Sequence, residues 1–243
     1  MAPTLTVAIV GGTGKTGKWA LKGAMARGCA VRLLGRSPEK VGAVLRELFP
    51  ERQESDLLKE VTVVQGSVGE KAKLIELFSG ADAIVSFLGM VKPPEWVVRP
   101  GVESIMEAMR GMEKPPKFIS MSSIAVGESL AQGKRAWGCC TVCLVWNVFL
   151  KNCFKDMQAA EEYITANREG LNVTILRATI LDDMKGYLKD YSKRDDHSYR
   201  LISVDDKKSK LTFKVDRQHV AEAFLDLSEG SAFDGKDMSI FSA

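Results

Sequence analysis

The sequence is poor in histidine and in net charge, and each shortage removes a class of function. Two histidines, His197 and His219, occur in 243 residues, and neither lies near the cysteines to complete a zinc site. The net charge is only +3, and the lysines and arginines are scattered evenly along the chain. We therefore expect no metal centre and no nucleic acid partner.

A long hydrophobic run is also missing. The most apolar stretch, 139–150, has twelve residues, well below the roughly twenty needed to cross a bilayer. The first predicted strand begins within the first ten residues, and residues 1–4 lack the basic start of a signal peptide. These features predict a cytoplasmic protein without a membrane span.

The five cysteines include a C-x-x-C string at Cys140 and Cys143. No second pair accompanies it, so metal or redox chemistry has little support from spacing. The alternative, which we favour, is a set of buried helix thiols in a reducing compartment.

The segment 8–17 is rich in glycine. A short apolar run enters a turn containing Gly11, Gly14 and Gly17, and a helical pattern follows. Gly11 lets the chain reverse, Gly14 leaves room for a pyrophosphate, and Gly17 allows close packing of the helix on the sheet. A Walker-type P-loop is excluded because Ile9 stands where its first glycine is required. The pattern favours nucleotide binding over an ordinary corner.

The end of the second predicted strand indicates which dinucleotide is bound. An acidic residue there would bind the 2′-hydroxyl of NAD, but this chain has Arg36, whose guanidinium suits the 2′-phosphate of NADP. The alternative is that Arg36 is only a solvated turn residue. Ser37 and Pro38 then predict a capped helix start.

Strands and helices alternate along the rest of the chain, which predicts an α/β Rossmann-type, doubly wound parallel sheet with helices on both faces. We expect a single domain over 1–243 because no shift in composition divides the chain. Residues 49–60 are expected to be a connector, and 178–214 an irregular segment on the substrate side. The predicted strands are 8–10, 30–34, 61–65, 83–88, 118–121 and 172–176, with 238–241 as a last edge strand.

An apolar stripe running from Val142 to Ile164 predicts one long helix. Its width around 142–157 suggests contact with a second copy of the chain. Glu161 and Glu162 on this helix could form an acid–base pair, although a solvated helix face is the expected role.

Several segments together resemble an atypical short-chain dehydrogenase/reductase, of the NAD(P)H-binding group that includes biliverdin/flavin reductase-like and NmrA-like proteins. The glycine turn is similar to the family's G-x-T-G-x-T-G motif. The segments that carry the resemblance are 8–17, 31–40, 82–89, 159–177 and 215–221.

The resemblance implies which residues contact the cofactor. It places Thr13, Lys15 and Thr16 near the phosphates and Arg36 at the 2′-phosphate. Further cofactor contacts are implied for Ser67, Val68, Leu88, Gly89, Ser122, Ser123, Arg177 and Ala178. The chain departs from its relatives at Arg177-Ala178-Thr179, where Arg-Pro-Gly is usual, and at Gly66-Ser67-Val68, where Gly-Asp-Val or Gly-Asp-Leu is usual.

The catalytic pair of the classical members is missing. Those enzymes use a tyrosine with a lysine four residues later, and none of the four tyrosines here has one. Alcohol dehydrogenation and sugar-nucleotide epimerisation are therefore disfavoured. The sequence leaves two hypotheses: an NADPH-dependent reductase of a flavin, quinone or tetrapyrrole, with Ser122 or water as proton source, or a non-catalytic NmrA-like NADP sensor or scaffold.

Overall fold

The computed structural model describes residues 5–89, 95–144, 146, 150–183 and 199–243. The strands in this part of the chain are β1 Thr6–Val10, β2 Ala30–Gly35, β3 Val61–Gln65, β4 Ala83–Ser86, β5 Lys117–Ser123, β6 Val173–Ala178, β7 Ile180–Asp182, β8 Tyr199–Ser203, β9 Lys214–Asp216 and β10 Met238–Ser242. The helices are α1 Gly17–Ala26, α2 Pro38–Leu48, α3 Glu54–Glu60, α4 Lys71–Phe78, α5 Val98–Arg110, α6 Leu130–Trp137, α7 Cys139–Leu144, α8 Lys151–Asn167 and α9 Arg217–Glu229.

The main sheet has the strand order β3-β2-β1-β4-β5-β6-β10-β8. All neighbouring strands are parallel except β8, which runs antiparallel to β10. In β1, Val7 and Ile9 enter one hydrophobic cluster with α1, α2 and α9, whereas Ala8 and Val10 enter another with α4, α5 and α8. This alternation buries both faces of the sheet. The predicted α/β Rossmann-type fold with helices on both faces is confirmed.

Local signals set several helix ends as predicted. Gly28 follows α1 with a φ of +71°, a conformation that glycine adopts without strain. At the start of α2, the Ser37 hydroxyl accepts a hydrogen bond from the Lys40 N–H at 3.3 Å, and Pro38 is the first helical residue. These ends depend on neighbouring residues alone.

Two helices were missed or shortened by the sequence interpretation. The expected connector 49–60 contains α3, whose Leu57 is fully buried. Helix α5 begins at Val98, although the helical spacing of the sequence predicts a start at Ser104, because proline is tolerated in a first turn. A methyl group at Gly101 would overlap the end of the Leu88 side chain.

The single long helix predicted from Val142 onward is wrong. Helix α7 ends at Leu144 and α8 begins after Leu150, which has φ −124° and ψ 22°. Between them the Trp146 indole donates a hydrogen bond to the Ala125 carbonyl at 2.7 Å. Phe149, which belonged to the predicted stripe, lies outside the described residues.

The cysteines and the last strand also differ from expectation. Cys139, Cys140 and Cys143 are exposed on α7 rather than buried. Strand β10 is not an edge strand, because β8 pairs with it on its outer side. The range 178–214 contains β7 and β8, so it is not irregular throughout. No helix of the described chain combines the length and apolar character needed to cross a membrane.

Candidate functional site

The sheet topology creates a crevice beside β1. This strand lies between β2 and β4, and the helices that follow β1 and β4 cover opposite faces of the sheet. The chain segments leaving these two strands therefore separate at the carboxyl edge. Open α/β sheets bind ligands at such a switch point.

The glycine turn borders this crevice. Gly11 has a φ of +79°, and a Cβ atom there would lie 3.0 Å from the Phe87 carbonyl group. The Gly14 N–H donates to the Gly11 carbonyl at 3.0 Å. Gly14 is exposed, and a Cβ atom on it would meet only that carbonyl oxygen, at 3.2 Å. The open side of Gly14 fits the close approach of a ligand backbone or phosphate.

The other glycines of the turn have a packing role. A methyl group at Gly17 would overlap the Gly11 carbonyl oxygen, and one at Gly12 would overlap the Leu33 side chain. Gly17 thus allows α1 to approach the turn itself rather than a strand. Gly12 was not singled out from the sequence, although the Gly-Gly doublet is a signal for it.

The first turn of α1 can receive an anion. Thr16 is its N-cap residue but makes no side-chain capping hydrogen bond, and the first turn contains no acidic residue. Thr13 and Lys15 precede it, with Lys15 exposed. Helix N-termini attract negative charge through free N–H groups and the helix dipole. The turn 11–17 and the first turn of α1 together form a phosphate cradle, which fits the pyrophosphate of a dinucleotide.

Arg36 lies at the carboxyl end of β2 and is exposed. It has no ion pair among the described residues, whereas Arg32 on the same strand donates to the carbonyls of Leu77 and Glu76 at 2.7 and 2.6 Å. The neighbouring Ser37 hydroxyl is already bound to Glu39. Arg36 is thus available to an anionic ligand.

The loops after β3 and β4 meet on α5. A Cβ atom at Gly101 would contact Val68 at 3.4 Å and overlap Leu88, so these two side chains form one apolar wall. The Ser67 N–H donates to the Glu70 carboxylate at 2.6 Å. At Gly89 an added Cβ atom would meet nothing within 4 Å. These positions leave open space at the predicted adenosine half.

Ser122, Glu161 and Arg177 form a buried network. The Ser122 hydroxyl donates to Glu161 at 2.5 Å, and the Arg177 guanidinium binds the same carboxylate with Nη2 at 2.8 Å and Nε at 3.1 Å. Their exposed fractions are 5%, 5% and 1%. Burial raises the pKa of Glu161, although the hydrogen bonds and charge of Arg177 act to lower it.

This network revises three expectations. Glu161 is not on a solvated face, because its side chain turns inward to Arg177, while Glu162 is exposed. The Arg177 side chain is directed to Glu161 rather than to the crevice. The hydroxyl proton of Ser122 is already engaged, which argues against its use as a proton donor. The sequence interpretation missed the Glu161–Arg177 pair because the two lie on different elements.

Ser123 is the more accessible of the two serines. It is half-buried, pairs in register with Ala178 of β6, and its hydroxyl donates to the Ile124 carbonyl at 3.0 Å. Two residues later, Ala125 has a φ of +67°, the only positive value at a non-glycine residue in the described chain. The Trp146 hydrogen bond holds this strained residue beside the site.

The chain is similar to known proteins in sequence family and in fold. A model of the NAD(P)H-binding family matches residues 11–229. No protein with a curated function matched the chain.

Three solved structures illustrate the similarity in fold. An oxidoreductase from Lactococcus lactis has a TM-score of 0.71 at 20% identity, with 98% of this chain and 91% of that one covered. A short-chain dehydrogenase/reductase from Veillonella parvula in complex with NADP has a TM-score of 0.68 at 17% identity, with 98% of this chain and 94% of that one covered. A Streptococcus pneumoniae protein proposed to be an NADH-flavin reductase has a TM-score of 0.65 at 15% identity, with 98% of this chain and 100% of that one covered.

Proposed function

Because the chain belongs to the NAD(P)H-binding family, we propose that it is a cytoplasmic NADPH-dependent reductase that transfers a hydride to a conjugated acceptor of the flavin, quinone or tetrapyrrole type. The observation that carries this proposal is an open phosphate cradle in a sequence where no tyrosine has a lysine four residues later. The relative from Veillonella parvula binds NADP, and the Streptococcus pneumoniae protein is proposed to reduce flavin.

The chain's own residues would hold the cofactor in two places. The turn 11–17 and the first turn of α1 would bind the pyrophosphate through backbone N–H groups. Arg36 would bind the 2′-phosphate through charge-assisted hydrogen bonds. The bound NADPH supplies the hydride, and the protein orients the acceptor against it.

The described tyrosines are poorly suited to proton transfer. The Tyr163 ring lies under the Arg99 guanidinium at 3.9 Å. Burial raises the pKa of Tyr199, and so does its hydrogen bond to Asp226. Tyr187 and Tyr191 lie outside the described residues. A conjugated acceptor needs little acid catalysis because its own π system carries the added charge. Water can then supply the proton.

Turnover tests this proposal directly. Purified protein with NADPH and a panel of flavins, quinones and tetrapyrroles should oxidise NADPH, followed by loss of nicotinamide absorbance. Binding of NADPH without turnover on any acceptor would instead support the NmrA-like sensor, which the engaged Ser122 hydroxyl favours as second candidate.

The assignment of Arg36 is tested by R36A. Losing one charge-assisted contact should weaken NADPH binding by about tenfold to a hundredfold and leave NADH binding nearly unchanged. The measurement is calorimetric titration with both cofactors. K59A removes an exposed positive charge on α3 and serves as control. A variant R36A that still prefers NADPH would contradict the assignment.

A further inference from the structure

Exposed hydrophobic side chains concentrate at one edge of the sheet. In the described chain seven large hydrophobic residues are exposed. Leu58 and Ile75 lie on α3 and α4. Trp96 follows β4, and Leu130, Leu144 and Leu150 lie on the connection from β5 to β6. Phe213 lies between β8 and β9, where a hydrogen bond from Thr179 holds it at the end of β6. The carboxyl ends of β4, β5 and β6 form the half of the crevice that receives the nicotinamide in a doubly wound fold.

Trp96 and Leu150 precede two neighbouring helices. Trp96 comes before Val97, whose N–H donates to Asp156 in the second turn of α8 at 2.8 Å. Leu150 is the N-cap residue of α8. The start of α5 therefore packs beside α8, and Trp96 and Leu150 lie before the first turns of these two helices. Their exposed fractions are 45% and 47%.

The backbone of Phe213 is hydrogen-bonded at the end of β6, the strand that pairs with the strand carrying Ser123. Its carbonyl accepts a hydrogen bond from the Thr179 hydroxyl at 2.7 Å, and Thr179 directly follows Ala178, the register partner of Ser123. The Trp137 indole also donates to Thr179, at 2.9 Å, which anchors this part of the chain. The Phe213 side chain is nevertheless 46% exposed.

We propose that Trp96, Leu150 and Phe213, the apolar rim, bind the apolar body of the acceptor, and that the acceptor is a quinone carrying an apolar side chain. This inference rests on the proposed reductase function. Aromatic rings offer flat faces to a planar ligand, and apolar area leaves water when the ligand binds. A flavin with a polar ribityl chain would gain less from these side chains.

The reaction balances with the components named. Reduction of a quinone to a hydroquinone takes one hydride from NADPH and one proton from water, and it leaves NADP⁺. No further oxidant or reductant is required.

Binding in the presence of NADP⁺ tests the rim without turnover. Calorimetric titration compares a decyl-substituted benzoquinone with the same ring lacking the chain. We expect the decyl compound to bind at least about tenfold more tightly, because several methylene groups are buried. W96A, L150A and F213A should each weaken its binding by about threefold to tenfold and leave the unsubstituted quinone nearly unaffected.

L58A and I75A are matched controls, since each removes an exposed hydrophobic side chain away from the edge. Thermal unfolding shows whether each variant is folded. Equal affinity for the two quinones would contradict binding by the rim, and so would rim variants that bind the decyl compound as tightly as the wild type. Rim variants that change only the molar mass in light scattering would show that the rim is a contact between copies of the chain instead.

Binding that follows these expectations without NADPH oxidation would support the rim and contradict the reductase. Oxidation of NADPH with polar flavins alone would support the reductase and contradict the rim.

Discussion

At the scale of single residues, the glycines of the turn differ in what a methyl group at each position would contact. G17A would force a methyl group against the Gly11 carbonyl, and we expect it to destabilise the fold by about 3 kcal/mol or more. G14A meets that oxygen only at 3.2 Å. It should fold and bind NADPH at least about tenfold more weakly, because its methyl group occupies the open side of the cradle.

Urea unfolding and calorimetric titration measure the two effects. G28A is a control, because a methyl group there meets nothing within 4 Å and only the positive φ is strained; about 1 kcal/mol is expected. If G14A binds NADPH like the wild type, the cradle is not where the phosphates lie.

At the scale of the elements, Asp156 joins α8 to α5. Its buried carboxylate accepts hydrogen bonds from the N–H groups of Val97, Val98 and Arg99 at 2.8, 2.9 and 2.8 Å. D156A leaves one buried and two half-buried N–H donors without this partner, and we expect a loss of about 3 kcal/mol in the free energy of unfolding. E103A, which removes only the half-buried pair with Arg99, should cost less than about 0.5 kcal/mol.

Chemical denaturation at neutral pH measures both variants. If D156A and E103A have equal stability, the start of α5 does not depend on this contact between helices.

The start of α4 should respond to acid. A hydrogen bond from the Ser67 N–H lowers the pKa of Glu70 below 4.5 in the folded protein. The contribution of Glu70 to stability is therefore fully present above the pKa of the unfolded chain and disappears as the pH falls through the folded pKa. E70Q should be less stable than the wild type at pH about 6, and the difference should shrink in strong acid.

Urea unfolding of both proteins across this pH range checks the prediction, with E76Q on the same helix as control. A difference that grew on acidification would contradict it.

The elements also show where sequence patterns fail. The stripe from Val142 to Ile164 has helical spacing, yet it does not form one helix, because α7 ends at Leu144 and Leu150 has non-helical backbone angles before α8. Strand β8 pairs with β10 across a long connection, and residues 199–203 carry no strong local signal for it. Helix α2, by contrast, follows its Ser37–Pro38 cap and could be predicted.

At the scale of the whole molecule, cofactor binding should couple to stability. A ligand that binds only the folded state at a hundred times its Kd adds about 2.7 kcal/mol. For a protein of this size that corresponds to a rise in Tm of roughly 5–10 °C. Thermal unfolding with NADPH and NADH side by side measures it, and we expect the larger shift with NADPH. Equal shifts would argue against Arg36 as a selectivity residue.

The sequence by itself determined the alternation of strands β1 to β6 with helices, the turn with Gly11, Gly14 and Gly17, and the cation at Arg36. These features depend on neighbouring residues: a period of two or 3.6, a glycine that must adopt positive φ, a residue at a strand end. Only the tertiary structure decided that Glu161 turns inward to Arg177, that the Ser122 hydroxyl is engaged, and that exposed hydrophobic residues from three connections share one edge. Such contacts join distant segments, and no local pattern encodes them.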